Sequence, residues 1–338
     1  MRYSIHRCLP LLLALFLLPG CSQAGALSVA ASQGDLSQES VSQSSVSVDA
    51  ADGAVTSLDD ESVALADAPA LPTYLMPVAS GTLEKRNSKA VIDYSNTKDG
   101  YVMVQYIAST TKRLKAQVKG PTTTYTYNLT SGQWTTFSLS DGNGSYQIVI
   151  YENIEGTKYS SILSQSFSAA MTDEFAPFLR PNQYVDYAVA SNTVAKAAEL
   201  TRGVTAPLDK VAVVYKYVIS NLTYDKQLAA TVQSGYLPVL DTVLAKKTGI
   251  CFDYAALMTG MLRSQDVPCK LIVGYAGSVY HAWISVWSEE TGWIDGAIYF
   301  DGTSWQRMDP TFASSGKQSQ AIMAYIGDGK NYSAKYFY

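Results

Sequence analysis

The chain has 338 residues, of which 16% are charged, with 25 Lys and Arg against 29 Asp and Glu for a formal net charge of −4. With no basic stripe anywhere, that balance excludes nucleic acid as a partner. No apolar run reaches the ~20 residues that span a bilayer.

At the N-terminus, Arg2 and Arg7 precede the apolar run L-P-L-L-L-A-L-F-L-L-P, and L-P-G-C ends at Cys21. Positive, apolar and small-residue regions in this order read as an export signal. L-P-G-C resembles the lipobox of bacterial lipoproteins, in which the cysteine becomes the new N-terminus and carries lipid. That resemblance makes residues 1–21 a signal peptide and Cys21 the lipidation site and sole membrane anchor. The mature protein would then be tethered outside the bacterial cytoplasmic membrane. Removing His6 and Cys8 and lipidating Cys21 leaves one histidine, His281, and two thiols, Cys251 and Cys269. This is too little for a disulfide framework or a zinc site, and no cofactor or metal is expected. Residues 22–70 are Ser-, Ala-, Gln- and Asp-rich, without aromatic or basic residues, and read as a disordered tether.

From 71 to 170 the texture changes to β-branched and tyrosine-rich alternation. A-V-I-D-Y, Y-V-M-V-Q-Y-I, L-K-A-Q-V-K, T-Y-T-Y-N-L, W-T-T-F-S-L and Y-Q-I-V-I-Y-E follow at short spacing. Turn formers such as K-D-G, K-G-P and D-G-N-G separate them. About seven short strands of this kind predict an all-β, Ig-like antiparallel sandwich. It reads as a spacer, with glycan or cell-wall binding as the alternative.

Beyond Pro177, T-V-A-K-A-A-E-L and L-D-K-V-A-V-V-Y-K-Y-V-I-S-N-L carry apolar residues at three-to-four spacing and predict helices. A third helix is expected from Cys251 to about 264, with Asp253 stabilising its first turn. Cys269 follows its far end, ~20 Å away, beyond the ~7 Å Cα limit of a disulfide with Cys251, and reads as a small buried residue at a strand start. Strand-like K-L-I-V-G-Y, H-A-W-I-S-V-W, W-I-D-G-A-I-Y-F and W-Q-R-M-D-P-T complete an α+β domain over 173–338. The final Y-S-A-K-Y-F-Y adds a strand or packs over the core. Each of the two domains is of a size that folds alone.

A thiol at a helix start meets unpaired backbone N–H groups that favour negative charge. Only His281 can supply an imidazole to Cys251, and Asp309, before Pro310, can hold the other ring nitrogen. The Cys251 backbone N–H is one oxyanion donor, and Tyr224, with Asn221 behind it, is a candidate for the second. By strand alternation Trp283, Ser285 and Trp287 share the face of His281, where Trp283 shields the ring or simply packs. Trp293 and Trp305 belong to the core or the cleft rim. Asp225, Asp295 and Asp301 show no calcium-loop spacing.

Together, G-I-C-F-D-Y-A (249–255), I-V-G-Y (272–275), H-A-W (281–283) and W-Q-R-M-D-P-T (305–311) resemble the transglutaminase-like superfamily over about 205–315. The resemblance implies a papain-like Cys-His-Asp site on the family's α+β core. The stretch between Trp283 and Asp309 is longer than the family pattern and reads as a hairpin-like insertion. The expected activity is thiol acyl transfer on a protein or peptidoglycan-peptide substrate, as a peptidase, amidase or acyltransferase acting as a monomer. Water is the default acceptor of the thioester, which favours hydrolysis. The competing class is a catalytically idle binding or adhesion module of the cell envelope.

Overall fold

The computed structural model describes residues 74–289, 292–295, 298–300, 305–307 and 331–338. Cys21, the tether and Asp309 lie outside these residues. The described residues all fall in one unit, Leu65–Tyr338, and none of their helices is long and apolar enough to cross a membrane.

The first half is built from eight strands: β1 (Glu84–Arg86), β2 (Ala90–Asp93), β3 (Tyr101–Tyr106), β4 (Leu114–Lys119), β5 (Thr124–Leu129), β6 (Trp134–Ser138), β7 (Gly144–Glu155) and β8 (Lys158–Ala169). They form two antiparallel sheets, ordered β1-β2-β3-β6 and β5-β4-β7-β8. Strict alternation in β4 and β5 turns Tyr125, Tyr127 and Leu129 inward and their neighbours out. Tyr127 meets Phe137 of the other sheet at 4.3 Å between centroids, so the inner faces share one core. A carboxylate is held at its edge: Glu152 accepts from Tyr106, Lys89 and Lys112. Those bonds lower its pKa from 4.5 to about 2, the tyrosine hydroxyl contributing most. The strands β1 and β8 were not anticipated. Serine fills β8, K-Y-S-S-I-L-S-Q-S-F-S-A, and hides its alternation.

Five helices follow: α1 (Asn192–Leu200), α2 (Pro207–Asn221), α3 (Lys226–Thr231), α4 (Leu240–Lys246) and α5 (Cys251–Arg263). Proline opens α2, where its missing N–H has no helical partner to lose. The Asp241 carboxylate accepts from the backbone N–H groups of Asn192 and Thr193, so α4 holds the start of α1. Two-residue parallel strands, β9 (Thr223–Tyr224) and β10 (Thr248–Gly249), join the end of α2 to the start of α5. From Asp253 to Arg263, α5 is buried all round, which makes it the central core helix. Its other side packs on β11 (Cys269–Ala276) and β12 (Val279–Ser288).

A third four-stranded sheet runs β13-β12-β11-β16, with β13 (Gly292–Asp295) and β16 (Tyr332–Phe337) at its edges. W-I-D-G-A-I-Y-F, expected as one strand, divides: β13 extends this sheet, while β14 (Ile298–Phe300) pairs in a separate hairpin with β15 (Trp305–Arg307). The C-terminal segment both adds a strand and packs over the core. Tyr338 stacks on Tyr184 at 4.1 Å and meets Tyr127 of β5 at 6.0 Å, so buried packing runs continuously from the β half into the helical half. Arg263, 2% exposed, donates to the carbonyls of Cys269, Arg180 and Tyr338 and thereby ties three segments to the end of α5.

Candidate active site

Cys251 is the first residue of α5, and its side chain is half-buried. The local sequence explains the turn that presents it. Asp253 lies two residues on with its side chain 1% exposed, and its carboxylate accepts from the Ile250 N–H at 2.8 Å and from the Tyr236 hydroxyl at 2.7 Å. Burial raises the Asp253 pKa, while those two bonds pull it back. Gly249 leaves room for this carboxylate: a Cβ there would sit 2.5 Å from the Asp253 Cβ. The glycine and the aspartate of G-I-C-F-D thus shape the turn around the thiol rather than take part in chemistry.

His281 is 5% exposed in β12, across from Gly274 of β11. The Trp283 ring stacks beside the imidazole with centroids 6.2 Å apart, and Tyr332 of β16 meets both rings. The pairing of β16 with β11 shifts register between Val273 and Gly274. A side chain at Gly274 would collide with the Ser333 carbonyl oxygen and the Trp283 ring. The glycine of I-V-G-Y therefore permits the packing that fixes the imidazole.

Cys251, His281 and Tyr224 line one cavity of about 660 Å³. Tyr224 reaches it because β9 pairs beside Gly249, two residues before the thiol. Tyr280, which also lines the cavity, has its pKa raised first by partial burial and then by neighbouring tyrosines and Cys251. The rest of the wall escaped sequence reasoning. It comes from Tyr236 and Leu237 after α3, from Phe252 and Tyr338, and from Asn128 and Gln183 of the β half and its connection. Only the turn signal S-G-Y-L-P at 234–238 hinted that a loop lay near.

Other expectations resolve plainly. Asp309, and with it the third member of the expected triad, lies outside the described residues, as does the Trp305 side chain. The Asn221 side chain donates to the Tyr217 carbonyl at 2.8 Å in the last turn of α2. Asp225 caps α3 through the Leu228 N–H at 2.8 Å. Trp287 and Trp293 pack with Phe175 and Phe178, away from the cavity, and Lys270 sits 3.6 Å above the Trp293 ring. Cys269 is a free, fully buried thiol beside Thr259, and burial pushes its pKa up to about 11. Among the described residues no three His, Cys, Asp or Glu side chains converge as metal ligands would.

Residues 194–310 match the sequence model of the transglutaminase-like superfamily. An uncharacterized Bacillus subtilis protein, YebA, is 27% identical over 29% of this chain, and the match spans 16% of that protein's length. Similar solved structures include the periplasmic domain of TgpA from Pseudomonas aeruginosa, at 18% identity and a TM-score of 0.31, covering 70% of this chain and 77% of that one. Another is red sea bream transglutaminase, at 14% identity and a TM-score of 0.29, covering 67% and 53%. The superfamily includes cysteine proteases and acyltransferases. The four motifs around Cys251, Gly274, His281 and Asp309 and the match over 194–310 agree, and this region of the chain is transglutaminase-like.

Proposed function

We propose that the chain is a thiol enzyme that cleaves or transfers an amide or peptide acyl group through a thioester. The observation that carries this reading is the meeting of Cys251 and His281, 30 positions apart in sequence, in the wall of one cavity. In the proposed reaction His281 takes the thiol proton, and the Cys251 sulfur bonds to the carbonyl carbon of the donor. The backbone N–H of Cys251 and the Tyr224 hydroxyl hold the oxyanion. Collapse expels the amine, which leaves with the proton carried by His281. Water or a second amine then attacks the thioester, with hydrolysis favoured. Asp309 orients the imidazole and stabilises its charged form.

The substrate is a protein or a peptidoglycan peptide, and the enzyme acts as a monomer outside the cytoplasmic membrane, tethered through lipid on Cys21. In this reading the Ig-like β half orients the cleft toward its target. Digests of cell-wall and surface proteins incubated with wild type and with Cys251→Ala, compared by mass spectrometry, test the proposal. Fragments or cross-links made only by wild type support it, and identical digests overturn it.

A further inference from the structure

The loop after α3 forms one wall of the cavity, held by a hydrogen bond at one place and packed closely at a second. At the first, the Tyr236 hydroxyl donates to Asp253, on the same helical turn as Cys251, and its ring lies 6.4 Å from Phe252. At the second, Gly235 lies against Asn128 of β5: a Cβ at Gly235 would stand 2.6 Å from the Asn128 amide nitrogen. Gly235 has φ +92°, so an L side chain there would be strained as well as crowded. Tyr236 and Asn128 both face the cavity. One is fixed to the nucleophile's turn and the other belongs to the β half.

We infer that Tyr236 is a positioning residue for the acyl donor, and that the wall it holds, completed by Asn128, receives the donor chain beyond the reacting carbonyl. The inference rests on the thiol-enzyme reading and adds to it a specificity element that the β half helps to build. A donor too short to reach the wall gains nothing from it. An extended peptidyl donor lies along it, with the Tyr236 ring as an apolar surface and the Asn128 carboxamide as a polar one. Binding along that wall raises affinity for the long donor without touching the chemical step, so its loss belongs in KM.

The experiment uses the full chain and three reagents: iodoacetamide, p-nitrophenyl acetate, and the p-nitrophenyl ester of N-acetyl-trialanine. Tyr236→Phe keeps the ring and removes the tie to Asp253. It should raise KM for the peptidyl ester about tenfold and leave kcat within about twofold, as expected when only binding is lost. Any loss in Cys251 alkylation or in turnover of the acetate should be smaller than the loss on the peptidyl ester. Asn128→Ala, on the exposed face of β5, leaves the core of the catalytic half untouched and should show the same split in smaller measure. Equal losses on acetate and peptidyl ester would overturn the inference, because the tyrosine would then shape the thiol's turn alone. Unchanged kinetics for both donors in both variants would overturn it too. If wild-type Cys251 forms no acyl-enzyme with either ester, the thiol-enzyme reading itself falls and takes this inference with it.

Discussion

The helix α5 and the strand β11 each begin with a thiol, and the surroundings of the two are opposite. Cys251, at the first residue of α5, is half-buried in the wall of a cavity that also contains His281. Cys269, at the first residue of β11, has no exposed surface and packs against Thr259, and its pKa is pushed up to about 11 by desolvation. They are eighteen positions apart in sequence. A cysteine's chemistry is thus set by which end of a buried helix it occupies: at the N-terminal end backbone N–H groups point outward toward a cavity, whereas past the C-terminal end the chain turns back into the core.

The contrast breaks most completely at the base. His281→Ala should lower the rate of thioester formation at Cys251 by about 10³-fold, read from single-turnover kinetics, because a positioned general base contributes on that order. Asp309→Asn should cost about 10²-fold in the same assay, since tautomer and orientation change while the base remains. Near-normal turnover in His281→Ala would remove the catalytic assignment.

Smaller effects concern how each thiol's neighbourhood is packed. Gly274→Ala pushes β16 and Trp283 away from the imidazole and should destabilise the fold by about 1–3 kcal/mol in denaturant titrations, the usual cost of overpacking. It should slow acylation as well, while the corresponding strain at an exposed glycine such as Gly132 should not. Cys269→Ala removes a buried sulfur and should cost about 1 kcal/mol with acylation unchanged.

The same substitution sharpens the comparison through pH. A thiol whose folded pKa is raised from 9.0 to about 11 stabilises the fold fully below pH 9 and loses that contribution as pH rises through 11. Cys269→Ala should therefore make stability fall less steeply than wild type between pH 9 and 11. The measurement is urea unfolding at several pH values, and parallel slopes would show that Cys269 is not desolvated as described.

Much of this arrangement was legible in the sequence. The start of α5 could be placed because Gly249 and Asp253 bracket the thiol, and β11 and β12 could be placed because their apolar runs are long. Strand alternation also put Trp283 on the face of His281, where its ring stacks. The cleft wall was not legible. The helices α3 and α4 have six and seven residues, too short for a 3.6-residue period to stand out. Asn128 looks like any exposed strand residue until the fold brings Gly235 against it. The Tyr127–Tyr184–Tyr338 contacts join residues more than 50 and 150 positions apart, which no local pattern can announce. Those contacts bear on the proposed boundary near Asp173. A chain beginning there loses the Tyr127 side of the packing, and its melting temperature should fall below that of the corresponding full chain.

The most direct test of the central claim is to map alkylation of the native full chain by iodoacetamide at pH 7, resolving each cysteine by mass spectrometry. The account predicts rapid modification of Cys251, slowed by His281→Ala, with Cys269 unmodified until the protein is unfolded. Modification of Cys269 at a rate equal to or faster than that of Cys251 in the folded protein would contradict it.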